Sequence, residues 1–175
     1  MERLLPFAAG VFLLYWPYVW CWYRRETLDS YGLIWRINRA AIIQTFALTL
    51  AVLAALTPLA LLWPWDRLPH KQNINTVLNL LSSGLAAAVI EETFFRGWVH
   101  PVLRKKLSPI AAIFITNLIF APAHLFAAPY FLSLLTFFPG LIMSWLREKY
   151  GNVFPSILFH FLGNVWSIWF FPAHF

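Results

Sequence analysis

Charge is what this chain has least of. Only 11% of its 175 residues are Asp, Glu, Lys or Arg, against roughly a quarter in an ordinary soluble domain. Hydrophobic residues make up 61%, aromatic residues 19%, and the mean hydropathy is +0.66. This excludes a soluble domain of any size and points to a polytopic membrane protein. The single cysteine, Cys21, excludes an internal disulfide and any cysteine-based metal site, and is expected to be a packing residue. Aspartate occurs only at Asp29 and Asp66, both between apolar runs, so an intramembrane aspartyl dyad is excluded. No His-Glu-x-x-His segment is present for zinc. Ser82 and Ser83 lack a Gly-x-Ser-Gly context and read as packing residues. Internal repeats and low-complexity linkers are also absent.

What the chain does have is a succession of long apolar runs, near residues 4–23, 40–63, 74–99, 108–126, 129–146 and 153–171. A helix needs ~20 apolar residues to cross a ~30 Å hydrocarbon core, so these predict an all-α bundle of about six spans. It is expected to be a single integral membrane domain over residues 1–175, with its site inside the bundle and its motif-bearing core at 74–171. The first run is followed by Trp20-Cys21-Trp22-Tyr23 rather than a small-residue cleavage site, which favours an anchor helix over a removable signal peptide. Residues 24–39 read as a polar loop or interfacial helix, 63–70 as a loop with interfacial tryptophans, and 147–152 as a turn.

A net charge of +6 raises the question of nucleic acid, but the basic residues fall between apolar runs rather than on one amphipathic face. Nucleic acid is therefore not an expected partner; the lipid bilayer is. Nine basic residues (Arg24, Arg25, Arg36, Arg39, Arg104, Lys105, Lys106, Arg147, Lys149) fall in one set of loops and three (Arg3, Arg67, Lys71) in the other. The positive-inside rule then puts both termini on the non-cytoplasmic side.

Against this background the ionisable groups inside the runs stand out. Each costs about 2.5–3.5 kcal/mol near the middle of a bilayer, and function is the default reason to keep one there. Glu91, Glu92 and Arg96 lie towards the end of the third run. Glu92 and Arg96, at i and i+4, share a helix face and are expected to form a structural ion pair. Glu91 points elsewhere and is left free to act. His124 lies in the fourth run, two residues after Pro122, which is expected to kink or interrupt that helix. His160 and Asn164 share a face in the sixth run. His70, His100 and His174 are placed in loops or at the terminus, outside the site.

Two chemistries fit these groups. A glutamate and an imidazole can activate a water while an amide and a second imidazole stabilise an oxyanion. Alternatively Glu91, His124 and His160 can hold zinc with a bound water. Both end in hydrolysis of an amide within the membrane. Arg96, which brings positive charge to the same carboxylates, and Asn164, a poor zinc ligand, favour the route without metal and without any other cofactor.

Glu91-Glu92-x-x-x-Arg96, Phe120-x-x-x-His124 and His160-x-x-x-Asn164 follow one another in order. In this the chain resembles the CAAX protease and bacteriocin-processing (Abi-type) family of intramembrane proteases, to which Rce1-type prenyl-protein endopeptidases belong. The resemblance covers about residues 80–167. It implies that Glu91 and His124 activate water, that His160 and Asn164 stabilise the oxyanion or support the site, and that Glu92 and Arg96 complete the first motif. With about six spans rather than the eight or so of eukaryotic members, the chain looks like a compact bacterial member of the inner membrane. The implied partner is a membrane-associated protein or peptide, cleaved near a C-terminal or membrane-anchoring segment. Some small members accompany proteins bearing C-terminal sorting signals, and others are linked to bacteriocin maturation or self-immunity. A non-catalytic binding or immunity protein of the same fold is the competing expectation, and a proton or cation pathway a third.

Overall fold

Apolar runs with no water around them must close their backbone hydrogen bonds internally, and helix is the local way to do so. In a computed structural model of the chain the described residues are 4–36, 38–64, 67–127 and 131–171. Among them there is no strand. Helices α1 (Leu4–Arg24) and α2 (Arg39–Leu61) precede a long rod made of α3 (Ile74–Phe94), a π-helical turn (Phe95–Val99) and α4 (His100–Arg104). Next come α5 (Pro109–Ala127), a 3-10 segment (Phe131–Thr136), α6 (Phe137–Tyr150) and α7 (Phe154–Phe170). The expected all-α membrane bundle is the architecture found.

Among the described residues three of the rods are long and apolar enough to cross a bilayer: α2, the continuous Ile74–Arg104 rod, and α5. The 14 residues of α6 and 17 of α7 extend about 21 and 25 Å at 1.5 Å per residue. The α3 helix packs on α1 and α7, α2 on α7, and α6 on both α5 and α7, so α3 and α7 form the centre. Large apolar side chains such as Leu62, Ile110 and Phe126 point outward, where lipid tails rather than water suit them. Cys21 is buried with Tyr31, Leu33, Ala88, Val153 and Ile157, the packing role expected of it.

Several boundaries differ from the sequence reading. Pro122 does not end α5, which runs through it to Ala127. The fifth run, expected from 129, becomes regular α-helix only at Phe137; Pro129 lies outside the described residues, and Pro139 is accommodated in the first turn, where an N–H is not needed. The expected turn at 147–152 is shorter, because α6 continues to Tyr150 and stops at Gly151, whose φ of 71° is the left-handed conformation that closes helices.

The loops sort to two ends. Residues 25–36 form no helix and fold back on the α4–α5 turn, where Lys105 Nζ pairs with Glu26 Oε2 at 2.6 Å. Val153 N donates to Gly32 O at 3.0 Å, and Arg104 Nε pairs with Glu148 at 2.6 Å. The three basic loop segments thus gather at one end. Hydrogen bonds from Lys105 and then Tyr31 hold the Glu26 carboxyl below the usual carboxylate range. At the opposite end His70 N donates to Trp169 O at 2.7 Å and Gln72 Nε2 to Ile168 O at 3.1 Å.

Candidate active site

Glu91 and Glu92 occupy the last turn of α3, just before the π-helical turn. Such wide turns recur at functional sites because they rotate the following side chains relative to a regular helix. The π turn is packed in place by aromatic rings, with Trp98 meeting Trp16 at 5.9 Å and Trp20 at 5.7 Å between centroids.

Glu92 and Arg96 are both fully buried and form the expected ion pair, Nη1 to Oε1 at 2.8 Å. The guanidinium is satisfied on every side. Its Nη2 donates to Asn117 Oδ1 at 2.8 Å and to Gly140 O at 3.0 Å, and its Nε to Ser144 Oγ at 3.3 Å. Its flat face lies 4.2 Å from the Phe120 ring centroid, a cation–π contact strengthened by desolvation. Asn117 in turn donates to Ser144 Oγ at 2.9 Å and to Ile113 O at 2.7 Å. One buried cation therefore ties α3, α5 and α6 together, and a charge buried this well needs such a full set of partners.

The same Glu92 oxygen reaches α7, where His160 Nδ1 sits 2.9 Å away. That oxygen also accepts from Arg96 Nη1, so it acts as an acceptor and His160 Nδ1 carries the hydrogen. His160 Nε2 is left for other work, and the side chain is 12% exposed. Asn164, one turn on, donates its Nδ2 to Gly84 O at 2.9 Å and binds α7 to α3 a second time.

Glu91 faces α5. His124 Nδ1 is 3.1 Å from Phe120 O, a carbonyl that can only accept, so that nitrogen carries the hydrogen. Its Nε2 then presents a lone pair towards Glu91 Oε2, 3.5 Å away. That carboxylate oxygen is buried and has no hydrogen-bond partner among the described residues. Two acceptors facing each other at this distance call for a proton shared between them. Both side chains are about a quarter exposed, at 25% and 22%, which leaves them reachable.

The structure thus brings Glu91 to His124 and Glu92 to Arg96 and His160, and it sets Asn164 against the backbone of α3. Asn117, Ser144 and Gly140 were missed in the sequence. An asparagine inside the apolar Ile113-to-Phe120 stretch was the available signal; a serine and a glycine carried none. His100, expected in a loop, is instead buried at the start of α4, between Thr116 Oγ1 at 3.2 Å and Glu148 Oε1 at 2.8 Å. Pro101 falls in the first turn of α4 and does not break the rod. His70 lies in the turn after α2 and is bonded to the end of α7; His174 lies outside the described residues. As for zinc, among the described residues no three His, Cys, Asp or Glu side chains are grouped closely enough to hold an ion, Glu91, His124 and His160 included.

No curated protein and no solved structure matches the chain. The family model described as type II CAAX prenyl endopeptidase Rce1-like matches residues 73–166. That segment starts at the N-cap of α3, ends within α7 and carries every residue of the constellation just described. Spanning more than half of the sequence, the match establishes that this integral membrane chain belongs to the type II CAAX prenyl endopeptidase Rce1-like family.

Proposed function

We propose that the protein is an intramembrane endopeptidase that hydrolyses a peptide bond near the C-terminal or membrane-anchoring segment of a protein substrate, with a water activated by Glu91 and His124. The observation that carries this reading is the buried, unpartnered Glu91 Oε2 facing His124 Nε2 across 3.5 Å. A water held beside this pair, on the exposed part of the two side chains, can give its proton to Glu91 as its oxygen bonds to the scissile carbonyl carbon. When the C–N bond breaks, that proton passes through the Glu91–His124 pair to the leaving nitrogen, and the carboxylate is restored. No step is routed through a metal.

His160 is assigned to the oxyanion. With Nδ1 committed to Glu92, its Nε2 can donate only as an imidazolium. One amide hydrogen of Asn164 is taken by Gly84 O and the other remains available. Glu92 and Arg96 support the site by fixing His160 and joining three helices.

The substrate proposed is a membrane-associated protein, such as one bearing a bacterial C-terminal sorting signal or a bacteriocin-type precursor, and the site of action a bacterial inner membrane. Orientation follows the clustering of basic loops at one end, taken as cytoplasmic. A reporter fused after Phe175 should then read as non-cytoplasmic, and a cytoplasmic reading would reverse the assignment. The function itself is tested with Glu91→Gln, which keeps size and hydrogen bonding but removes the base. Cleavage of the cognate membrane substrate should be abolished while the amount of folded protein in the membrane is unchanged. Full biological activity in that variant would replace the protease by a non-catalytic binding or immunity protein.

A further inference from the structure

At the basic end of the bundle, away from Glu91 and His124, lies a cavity of about 280 Å³ lined by Ser30, His100, Arg104, Lys105, Arg147 and Glu148. The partners of its charges decide what it wants. Lys105 is paired with Glu26 at 2.6 Å and Arg104 with Glu148 at 2.6 Å. His100 also leans on Glu148, and the nearby Asp29 is held by Arg36 at 2.9 Å. Arg147 is left over. It is 8% exposed, and among the described residues its side chain makes one hydrogen bond, from Nε to Arg96 O at 3.1 Å. Among the described residues its two terminal nitrogens have no acceptor, and they belong to the side chain that lines this cavity.

Glu148 and Asp29 favour its charge, but both carboxylates are paired to other arginines, and a guanidinium buried to this degree with unfilled terminal nitrogens is costly. Its planar fork matches an oxyanion that offers two oxygens in one plane. The setting narrows the source of that anion. Trp22 and Tyr23, 81% and 73% exposed, end α1 at the same end of the bundle, and exposed tryptophan and tyrosine mark the headgroup level of a bilayer. Basic pockets between membrane helices are places where anionic headgroups bind.

We propose that this cavity is a binding site for the phosphate of an anionic phospholipid headgroup, with the Arg147 fork as principal donor and Arg104 and Lys105 at the rim. A choline headgroup is disfavoured because its ammonium would meet those two cations. The bound phosphate neutralises Arg147 and, through the Arg147-to-Arg96 hydrogen bond, steadies the chain just beyond the paired glutamates.

The test uses the purified full-length chain in detergent, with thermal unfolding followed as lipid is added. Phosphatidylglycerol should raise the melting temperature and phosphatidylcholine should not. Ser30→Glu, at an exposed position on the cavity wall, places a carboxylate where the phosphate would sit. It should abolish the phosphatidylglycerol response and raise the melting temperature in lipid-free detergent. Arg147→Gln should also lose the response, and lipid retained in native mass spectrometry should fall about tenfold, the loss of one charge-assisted bond. Should Arg147→Gln fail to fold, Ser30→Glu decides alone. Equal stabilisation of wild type and Ser30→Glu by phosphatidylglycerol would overturn the proposal. So would inorganic phosphate reproducing the whole effect, since the ligand would then be a soluble anion.

Discussion

His160 Nδ1 and Glu92 Oε1 lie 2.9 Å apart, and this contact joins the third sequence motif to the first across the α3–α7 interface. Since Arg96 uses the same oxygen at 2.8 Å, the position of His160 depends on an ion pair that never meets the substrate. Glu92→Gln tests the dependence. An amide keeps the size of the side chain, but the charge that fixes the His160 hydrogen on Nδ1 and balances Arg96 is lost. Turnover should fall and the alkaline limb of its pH profile, where the His160 donor is lost, should shift, while Glu91→Gln loses turnover at every pH. An unchanged profile in Glu92→Gln would detach His160 from the chemistry.

Arg96→Ala should reduce the amount of folded protein rather than activity alone. It leaves Glu92 buried without a counter-charge and Asn117 and Ser144 without their donor, at a cost of about 3–5 kcal/mol. Thermal unfolding in detergent and the yield from membranes are the measurements. Normal stability with lost turnover would move Arg96 from scaffold to chemistry.

The reason the sequence disclosed part of this site is geometric. Glu92 and Arg96 are one helical turn apart, as are His160 and Asn164, so which side chains share a face could be read from spacing alone. The meeting of Glu91 with His124 depended on two helices being at the same depth, and three motifs in order made that expectation reasonable. Nothing local disclosed the Arg96 cradle, because its partners come from α5 and α6 and one of them, Gly140, contributes a backbone carbonyl. The π turn was equally hidden: Phe-Arg-Gly-Trp-Val has no proline, and its widening is held by rings from α1. His100 was misplaced because the apolar run ends at residue 99, whereas the rod continues through Pro101, a proline tolerated in the first turn of α4.

Gly140→Ala probes that cradle from the other side. A Cβ there would lie 2.2 Å from Asn117 Oδ1 and 3.2 Å from Arg96 Nη2, too close for the side-chain network to remain as it is. Overpacking of this kind costs about 1–3 kcal/mol. Stability and turnover should fall together, although residue 140 is not proposed to touch substrate. A fully stable, fully active variant would show that the α5–α6 contact is looser than the bonds to Arg96 imply.

At the basic end, the Glu26–Lys105 pair predicts a pH dependence with a definite sign. The folded-state pKa of Glu26 is depressed below its ordinary value, chiefly by the hydrogen bond from Lys105. Its contribution to stability is therefore complete above the unfolded pKa, near 4.5, and is lost as the pH falls through the folded value. Wild type should lose more stability than Glu26→Gln on acidification below that point, and the two should run parallel above it. A difference that grew towards alkaline pH would contradict the assignment.

The remaining choice is between water activated by Glu91 and His124 and water activated by zinc. Zinc at a hydrolytic site takes three protein ligands and a water at about 2.0–2.2 Å. The available donors are Glu91, His124 and His160, yet His160 already gives Nδ1 to Glu92 Oε1, the oxygen that also pairs with the fully buried Arg96. A dication brought to these groups would stand close to the Arg96 charge and would compete with it for the same carboxylates. Electrostatics therefore favours the metal-free route. Purified protein should contain less than one equivalent of metal and keep its peptidase activity after exhaustive chelation. Activity lost to chelation and restored by zinc alone would make Glu91, His124 and His160 ligands, with Nε2 of each imidazole turned to the metal rather than to water or oxyanion.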